Sequence, residues 1–441
     1  MGLFREYDLR GIVGRELTES IAEQVGRAYC TYVKNRGVKR ISVGRDGRLS
    51  SPGLHKALVR GLLAGGLDVV DIGICPSPLV YFSLFQLPID GGIMITGSHN
   101  AAEYNGFKIC IGKEAIHGEE IQALRAVIEA GSFVSGTGRL SEHPIIPDYL
   151  AYIKKSFAHV DAKRLHIVID CGNGVAALVA KQALELLGCT VTGLYCDLDG
   201  RFPNHHPDPT VLENLDDLIA AVKEHKADAG IGYDGDADRI GTVDEQGNVL
   251  WGDRLLVVYA RDILAAKPGG TIISEVKSSQ NLYDDIAKRG GRPIMWKTGH
   301  SLIKTKMKSE QAVLAGEMSG HMFFADRYFG YDDAIYASCR LLEILAKTTR
   351  PLSSLVADLP KTTVTPEIRV DVSDSIKFEL VRHVQDRLAN CAKTRQELGP
   401  AKLVICDLVT IDGVRAIFSD GWGLIRASNT QPALVLRFEA S

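Results

Sequence analysis

Gly91–Lys108 reads GGIMITGSHNAAEYNGFK, and its reading decides the fold. Gly92–Ile95 is a short apolar run of the kind that forms a strand inside a parallel sheet. The chain then turns through Thr96-Gly97-Ser98-His99-Asn100. Gly97 permits the tight bend that places the Ser98 hydroxyl at the strand's carboxyl end, the edge where open α/β sheets bind ligands. A serine hydroxyl is a poor nucleophile without a neighbouring base or a metal. His99, Asn100 and Lys108 are the polar and cationic groups nearest in sequence. Taken alone, the segment also reads as a polar turn that caps a strand.

Outward from this turn, strands and helices alternate. Phe4–Gly11 is too polar for a simple core strand. Thr18 to Arg36 reads as a helix with Ile21, Val25, Tyr29, Tyr32 and Val33 on one face, Thr18 as its cap and Gly37 at its end. Strands are expected at Ile41–Val43 and Leu67–Ile72, and helices at Leu54–Leu63 and Glu119–Glu129. A Gly/Ser/Pro-rich linker follows over 131–147. A second unit carries strands Leu165–Ile169, Thr190–Tyr195 and Asp228–Tyr233 and a helix Val179–Leu187. A third opens at Gly252, with strands Thr271–Ser274, Pro293–Trp296 and Ala312–Gly316 and a helix Ala334–Ala346. From Ile368 one helix and short strands form a smaller α+β unit. The expected divisions are 1–147, 148–251, 252–362 and 363–441, with an α/β fold throughout the first three.

Composition narrows the function. The chain has 441 residues, 45% of them apolar and 24% charged, as in globular proteins. A net charge of -3 argues against non-specific nucleic-acid binding. Nine scattered cysteines show no zinc-like spacing and read as reduced thiols of a cytoplasmic protein. The charged start, Arg5 to Arg10, lacks a secretory apolar region, and no run is long enough to span a membrane. No membrane partner is expected, and the chain is expected to be a monomer or weak dimer.

Asp234, Asp236 and Asp238 alternate after an apolar strand, so three carboxylates turn to one side and call for a cation. All-oxygen ligation favours Mg²⁺. Calcium is the alternative, since Glu245 falls at the twelfth place of a calcium loop, but Arg239 stands where that loop needs glycine. If Ser98 bears a phosphoryl group beside this metal, the cation offsets its charge and polarises phosphorus. Arg426-Ala427-Ser428-Asn429-Thr430 is dense in phosphate donors, and Glu317-Met318-Ser319-Gly320-His321 offers groups suited to sugar hydroxyls. Each also reads as an ordinary polar turn. Arg45 and Arg48 either bind phosphate or brace their loop; His205 and His206, flanked by prolines, read as structural.

These motifs, in this order, resemble the α-D-phosphohexomutase superfamily, above all its bacterial phosphomannomutase/phosphoglucomutase group. The segments that carry the resemblance are Tyr7–Gly11, Gly44–Ser50, Thr96–Asn100, Tyr104–Lys108, Asp234–Arg239, Lys297–His300, Gly316–His321 and Arg426–Thr430. The resemblance implies four domains around a central cleft, three related mixed-sheet α/β domains and a smaller C-terminal one. It implies a phosphoserine at Ser98, with one Mg²⁺ held by Asp234, Asp236, Asp238 and the Ser98 phosphoryl group. Glu317 and Ser319 would hold sugar hydroxyls, and Arg426, Ser428, Asn429 and Thr430 the non-reacting phosphate. Tyr7, Arg10, His99, Lys108, Arg239, Lys277, His300 and His321 would line the cleft, with Arg10, Lys108 and His321 as proton-handling candidates. The implied reaction interconverts hexose 1- and 6-phosphates of glucose or mannose through glucose 1,6-bisphosphate or its mannose counterpart. Phosphoglucosamine mutase and a metal-dependent sugar-phosphate phosphatase are the alternatives; Met318 replaces the glutamine usual in the former, and the latter leaves Ser98 idle. Ala101 and Ala102 depart from the proline-containing turn of relatives. The chain also stops at Ser441, where relatives commonly continue into a helix, so the last domain reads as minimal or clipped.

Overall fold

A computed structural model describes residues 2–429 and 431–441 and arranges them around four sheets. The first unit runs β1 (Leu9–Ile12), α1 (Glu19–Val33), β2 (Arg40–Arg45), α2 (Ser51–Ala64), β3 (Asp68–Ile74), α3 (Ser77–Gln86), β4 (Gly91–Ile95), β5 (Tyr104–Ile111), β6 (Glu114–Ala115), α4 (Glu119–Ala130) and β7 (Leu140–Glu142). Its sheet order is β1-β5-β4-β2-β3-β7, with β6 beside β5. Thr18 caps α1 by accepting the Ile21 N–H at 3.3 Å, and Val25, Tyr29 and Val33 are buried beneath it. Buried β4 lies parallel to β2 but antiparallel to β5, so the expected parallel surroundings exist on one side only. Leu9–Ile12 is a strand despite its polarity, because it sits at the sheet's edge and sends Arg10 into the site. The 131–147 stretch is more than a linker: Leu140–Glu142 extends the sheet beside β3.

The second unit holds α5 (Ile146–Ser156), β8 (His166–Asp170), α6 (Ala180–Glu185), β9 (Thr190–Leu194), α7 (Asp216–His225), β10 (Ala229–Tyr233), β11 (Ile240–Asp244) and β12 (Val249–Leu250). The third holds α8 (Gly252–Ala266), β13 (Thr271–Glu275), α9 (Gln280–Lys288), β14 (Arg292–Trp296), α10 (His300–Glu310), β15 (Leu314–Gly316), β16 (Met322–Phe324) and α11 (Ala334–Lys347). One topology recurs in all three units. A first strand (β2, β8 or β13) pairs in parallel with the next two, and the last of these turns into an antiparallel neighbour. That turn contains Ser98 in the first unit, Asp234–Arg239 in the second and Glu317–His321 in the third.

One apolar core runs through all three of these units, with aromatic contacts such as Phe82 on Tyr149 at 5.3 Å joining α3 to α5. The last unit has β17 (Thr363–Val364), β18 (Ile368–Asp371), α12 (Lys377–Thr394), β19 (Asp407–Val409), β20 (Val414–Ile417), β21 (Gly421–Ala427) and β22 (Ala433–Ala440), paired antiparallel over small cores of its own. Its joint with the third unit combines an apolar cluster, in which Trp422 and Leu424 pack with Val276, and polar contacts. Arg415 donates to the Val276 and Ser278 carbonyls, each at 2.8 Å, and Glu439 accepts from Ser279 Oγ at 2.6 Å. Among the described residues, no helix is long and apolar enough to cross a membrane, and all nine cysteines are free thiols.

Candidate functional site

Ser98 sits in a left-handed backbone conformation (φ 49°), an arrangement that costs a non-glycine residue about 1 kcal/mol or more and needs support. Support comes first from its own turn, where the Ser98 N–H donates to Thr96 Oγ1 at 2.7 Å. The Arg48 guanidinium then donates to the carbonyls of Ser98 (2.7 Å), Asn100 (2.5 Å), Ala101 (2.6 Å) and Tyr104 (3.0 Å). Arg48 therefore braces the loop and leaves no free face for a phosphate, which decides between its two sequence readings. Gly97 is required here, because a Cβ would meet the Arg48 guanidinium at 2.4 Å. Arg10 adds bonds to the Gly97 carbonyl and, at 2.7 Å, to Asn100 Oδ1. Arg45 is spent on Asp71.

Across the boundary between the first two units, Ser98 Oγ donates to Asp234 Oδ2 at 3.1 Å. His99 Nδ1 lies 3.2 Å from Ser98 Oγ, within hydrogen-bond reach on the other side. Burial, aided by Arg239, pushes the His99 imidazole well below its ordinary pKa and keeps it neutral. The approach is close enough that a Cβ at Gly235 would meet the Ser98 carbonyl at 2.4 Å.

Asp234, Asp236 and Asp238 are fully buried, and one oxygen from each lies within 4.8 Å of the others. Asp234 Oδ1 accepts the Asp238 and Arg239 N–H groups at 3.0 and 3.1 Å, which fixes the turn. Lys108 seats its ammonium between Asp236 (2.6 Å) and Asp238. Burial works against ionised Asp236, yet Lys108 prevails and holds it well below the carboxylate range. Burial and the two neighbouring carboxylates push Asp234 well up. Asp236 Oδ1 and Asp238 Oδ1 are buried without hydrogen-bond partners. A lysine ammonium already drawn into the cluster, together with two orphaned oxygens, fits a divalent cation. Glu245 takes no part, since it accepts from Ser353 elsewhere, which removes the calcium-loop reading.

From the aspartates a line of contacts crosses the cleft. Arg239 Nε donates to His321 Nε2 at 3.0 Å, so the His321 proton lies on Nδ1, facing Asp332 Oδ2 at 3.0 Å and Asp238 at 3.6 Å. His300 stacks on His321, and Tyr7 meets His300 edge-on, at centroid distances of 5.7 and 6.0 Å. The Tyr7 hydroxyl donates to the Thr298 carbonyl (2.8 Å) and accepts from Asn429 Nδ2 (2.6 Å), joining the first and last units. Glu317 accepts the Gly299 N–H at 2.6 Å, and burial pushes its carboxyl up. Ser319 and Ser428 lie in the turns expected of them. Thr430 lies outside the described residues. Arg426 and Lys277 reach the same region but are tied to Asp412 (3.0 Å) and Glu367 (3.0 Å). Of the loop histidines, His205 is structural, bonded to Asp170 at 3.0 Å.

Comparison with known proteins accounts for this arrangement. The family models for phosphoglucomutase/phosphomannomutase match in order: alpha/beta/alpha domain I over 1–135, domain II over 147–247, domain III over 251–363 and the C-terminal domain over 367–441. The chain belongs to the phosphoglucomutase/phosphomannomutase family. A phosphomannomutase/phosphoglucomutase of Pseudomonas aeruginosa is 47% identical over 438 residues, 99% of this chain and 91% of the relative. A Neisseria gonorrhoeae phosphoglucomutase is 45% identical over 441 residues, covering 99% and 93%. A crystal structure of a Burkholderia thailandensis phosphoglucomutase/phosphomannomutase family protein superimposes with a TM-score of 0.90 at 42% identity, covering 99% and 93%.

Several residues at the heart of this phosphohexomutase escaped sequence reasoning. Asp332 faces both histidines and pairs with Lys304 at 2.9 Å. Ser77 donates to Asp236, and Asp412 and Glu367 neutralise the cations of the distal turn. The doublet Asp332-Asp333 ahead of an apolar helix was a usable signal, because Asp333 caps α11 and leaves Asp332 free for other duty.

Proposed function

We propose that Ser98 carries the phosphoryl group as this phosphohexomutase moves it between the 1- and 6-hydroxyls of glucose or mannose phosphates. The 3.1 Å approach of Ser98 Oγ to the buried aspartate cluster carries this reading. Asp234, Asp236, Asp238 and an oxygen of the Ser98 phosphoryl group would hold one Mg²⁺, which supplies positive charge against the phosphoryl oxygens and makes phosphorus more open to attack.

The chain's own groups do the rest. Arg48, Arg10 and Thr96 hold the Ser98 turn in register. His99, kept neutral, hydrogen-bonds with Ser98 Oγ. Lys108 and Arg239 would bring cations to the transfer point, and Arg10, Lys108 and His321 are candidates to take the proton of the sugar hydroxyl or to position the group that does. Glu317 and Ser319 would bind sugar hydroxyls. Arg426, Ser428, Asn429 and Thr430, with Tyr7, Lys277 and His300, would grip the phosphate that is not reacting. Phospho-Ser98 gives its phosphoryl group to the free hydroxyl of a hexose 1-phosphate. The resulting bisphosphate, glucose 1,6-bisphosphate in the glucose case, turns over in the cleft and returns the other phosphate to Ser98. The last unit has cores of its own and meets the third through one small apolar cluster and hydrogen bonds, so it is the unit that would open for that rotation. Free thiols fit action in the cytoplasm, and the working assembly would be a monomer or weak dimer.

Turnover of glucose 1-phosphate and mannose 1-phosphate, with a trace of glucose 1,6-bisphosphate, tests the proposal. Ser98→Ala should lose on the order of 10³-fold or more in turnover while still binding sugar phosphate. Turnover near the unsubstituted level would overturn the assignment.

A further inference from the structure

Behind the cleft, in the second unit, two thiols touch. Cys171 Sγ and Cys196 Sγ are 3.4 Å apart, and neither takes part in the chemistry above. Cys171 directly follows β8, and Cys196 follows β9 after one intervening residue. The two strands are parallel neighbours with Asp170 opposite Leu194, so both cysteines leave the sheet side by side. The Cys171 N–H donates to the Leu194 carbonyl at 3.1 Å, which holds the two exits together. Cys171 is buried and Cys196 partly exposed. A disulfide needs its sulfurs at about 2.05 Å, closer than this contact, so closing it pulls the two strand exits toward each other.

We propose that Cys171 and Cys196 form a peroxide-sensitive oxidation site whose closure to a disulfide slows the enzyme. Hydrogen peroxide is the oxidant. The Cys196 thiolate attacks it, the O–O bond breaks, one oxygen stays on sulfur as sulfenic acid and the other leaves as water. The Cys171 sulfur then attacks Cys196; the S–S bond forms, the S–O bond breaks, and hydroxide departs as water with the Cys171 proton. Two thiols lose two electrons and two protons, and the peroxide becomes two waters.

The order of events follows from the surroundings. Cys196 is the more exposed sulfur of the pair, so peroxide meets it first. The hydrogen bond with Cys196 and burial push Cys171 well up, so it is not the sulfur peroxide oxidises first; its 3.4 Å contact with Cys196 is what lets it resolve the sulfenic acid. Burial pushes the thiols of Cys30, Cys75, Cys110, Cys189 and Cys339 up as well, so they stay protonated and inert.

Both strand exits lean on the catalytic turns. Asn173 N–H donates to the Tyr195 carbonyl at 2.9 Å, and Asn173 Nδ2 to the Asp197 carbonyl at 2.8 Å. From there Val175 N–H reaches the Gly235 carbonyl of the aspartate turn at 3.2 Å. On the other side, Phe202 lies under the Arg48 guanidinium at 4.9 Å. Drawing the sulfurs together therefore displaces the supports of both Ser98 and Asp234.

The test treats the full chain with hydrogen peroxide, caps remaining thiols with iodoacetamide and maps peptides without reduction. A linked pair of peptides containing Cys171 and Cys196, lighter by two hydrogens, is expected. Turnover should fall on the order of tenfold, since a displacement of about 1 Å can cost about 100-fold, and dithiothreitol should restore it. Cys196→Ser, at the partly exposed position, should resist the treatment; Cys171→Ala provides a second control. The proposal is overturned if both cysteines take up the cap after peroxide, if the link forms without loss of turnover, or if Cys196→Ser loses activity equally. The link is read by mass, so its presence or absence is independent of the role assigned to Ser98.

Discussion

Ser98 Oγ and Asp234 Oδ2, on the turns of two different units, meet at 3.1 Å. The bond forms between a strained serine and a carboxylate whose charge is suppressed by burial and by two like neighbours. Replacing Asp234 by asparagine keeps an acceptor for the hydroxyl but removes a ligand charge. Mg²⁺ should raise the melting temperature of the unsubstituted protein by the equivalent of about 2.7 kcal/mol at about 100 times its Kd. Asp234→Asn should show little of that shift, and thermal scans with and without chelator will decide; an equal shift in both would remove Asp234 from the cation site.

Lys108 is the counter-charge of the cluster while the cation is absent. Lys108→Met should destabilise the metal-free protein by about 3–5 kcal/mol, because two buried carboxylates lose their partner. Added Mg²⁺ should recover much of that loss. Chemical denaturation in chelator and in Mg²⁺ checks both halves, and a metal-free variant as stable as the parent would contradict the argument.

The Arg48 brace leaves no room beside Gly97. Gly97→Ala should cut turnover on the order of 100-fold by displacing the serine turn. The substrate dissociation constant should change far less, since the distal phosphate is held elsewhere. A variant impaired only in binding would show that the turn is not what Arg48 positions.

Acid should loosen the hinge side of the cleft. Lys277, helped by Arg369 and opposed by burial, holds Glu367 at about 2, against an ordinary 4.5. A lowered carboxylate stabilises the fold above its ordinary pKa, and that contribution fades as pH falls from about 4.5 to about 2, up to roughly 3 kcal/mol in all. Glu367→Gln should therefore be less stable near neutrality and show a shallower decline in melting temperature below about pH 5. Parallel curves for the two proteins would refute the pairing's role.

Much of the site was legible because its chemistry is concentrated in short turns directly after apolar strands, as at Thr96–Asn100 and Asp234–Arg239. The helix Glu19–Val33 was legible from one apolar stripe and a threonine cap. Ser77–Gln86 was not, because SPLVYFSLFQ is apolar on nearly all sides and packs between units rather than onto one face. Tyr104–Lys108 stands out as a motif, but its sequence does not announce the antiparallel strand Tyr104–Ile111 that follows the serine turn. Glu367 acts through Lys277, 90 residues away, so no local spacing could reveal it, whereas Asp332 was flagged only by its place before the helix cap Asp333.

The recurrence of one strand-and-turn plan in three units has a consequence for how such an enzyme can change. A single copy offers only one polar hairpin tip to water and is chemically idle. Reactivity is a property of three tips facing one another, each specialised and each mounted on its own scaffold. The tip bearing Glu317 can thus drift in sequence, and with it the range of sugars accepted, while the tips bearing Ser98 and the aspartates preserve the phosphorus chemistry unchanged.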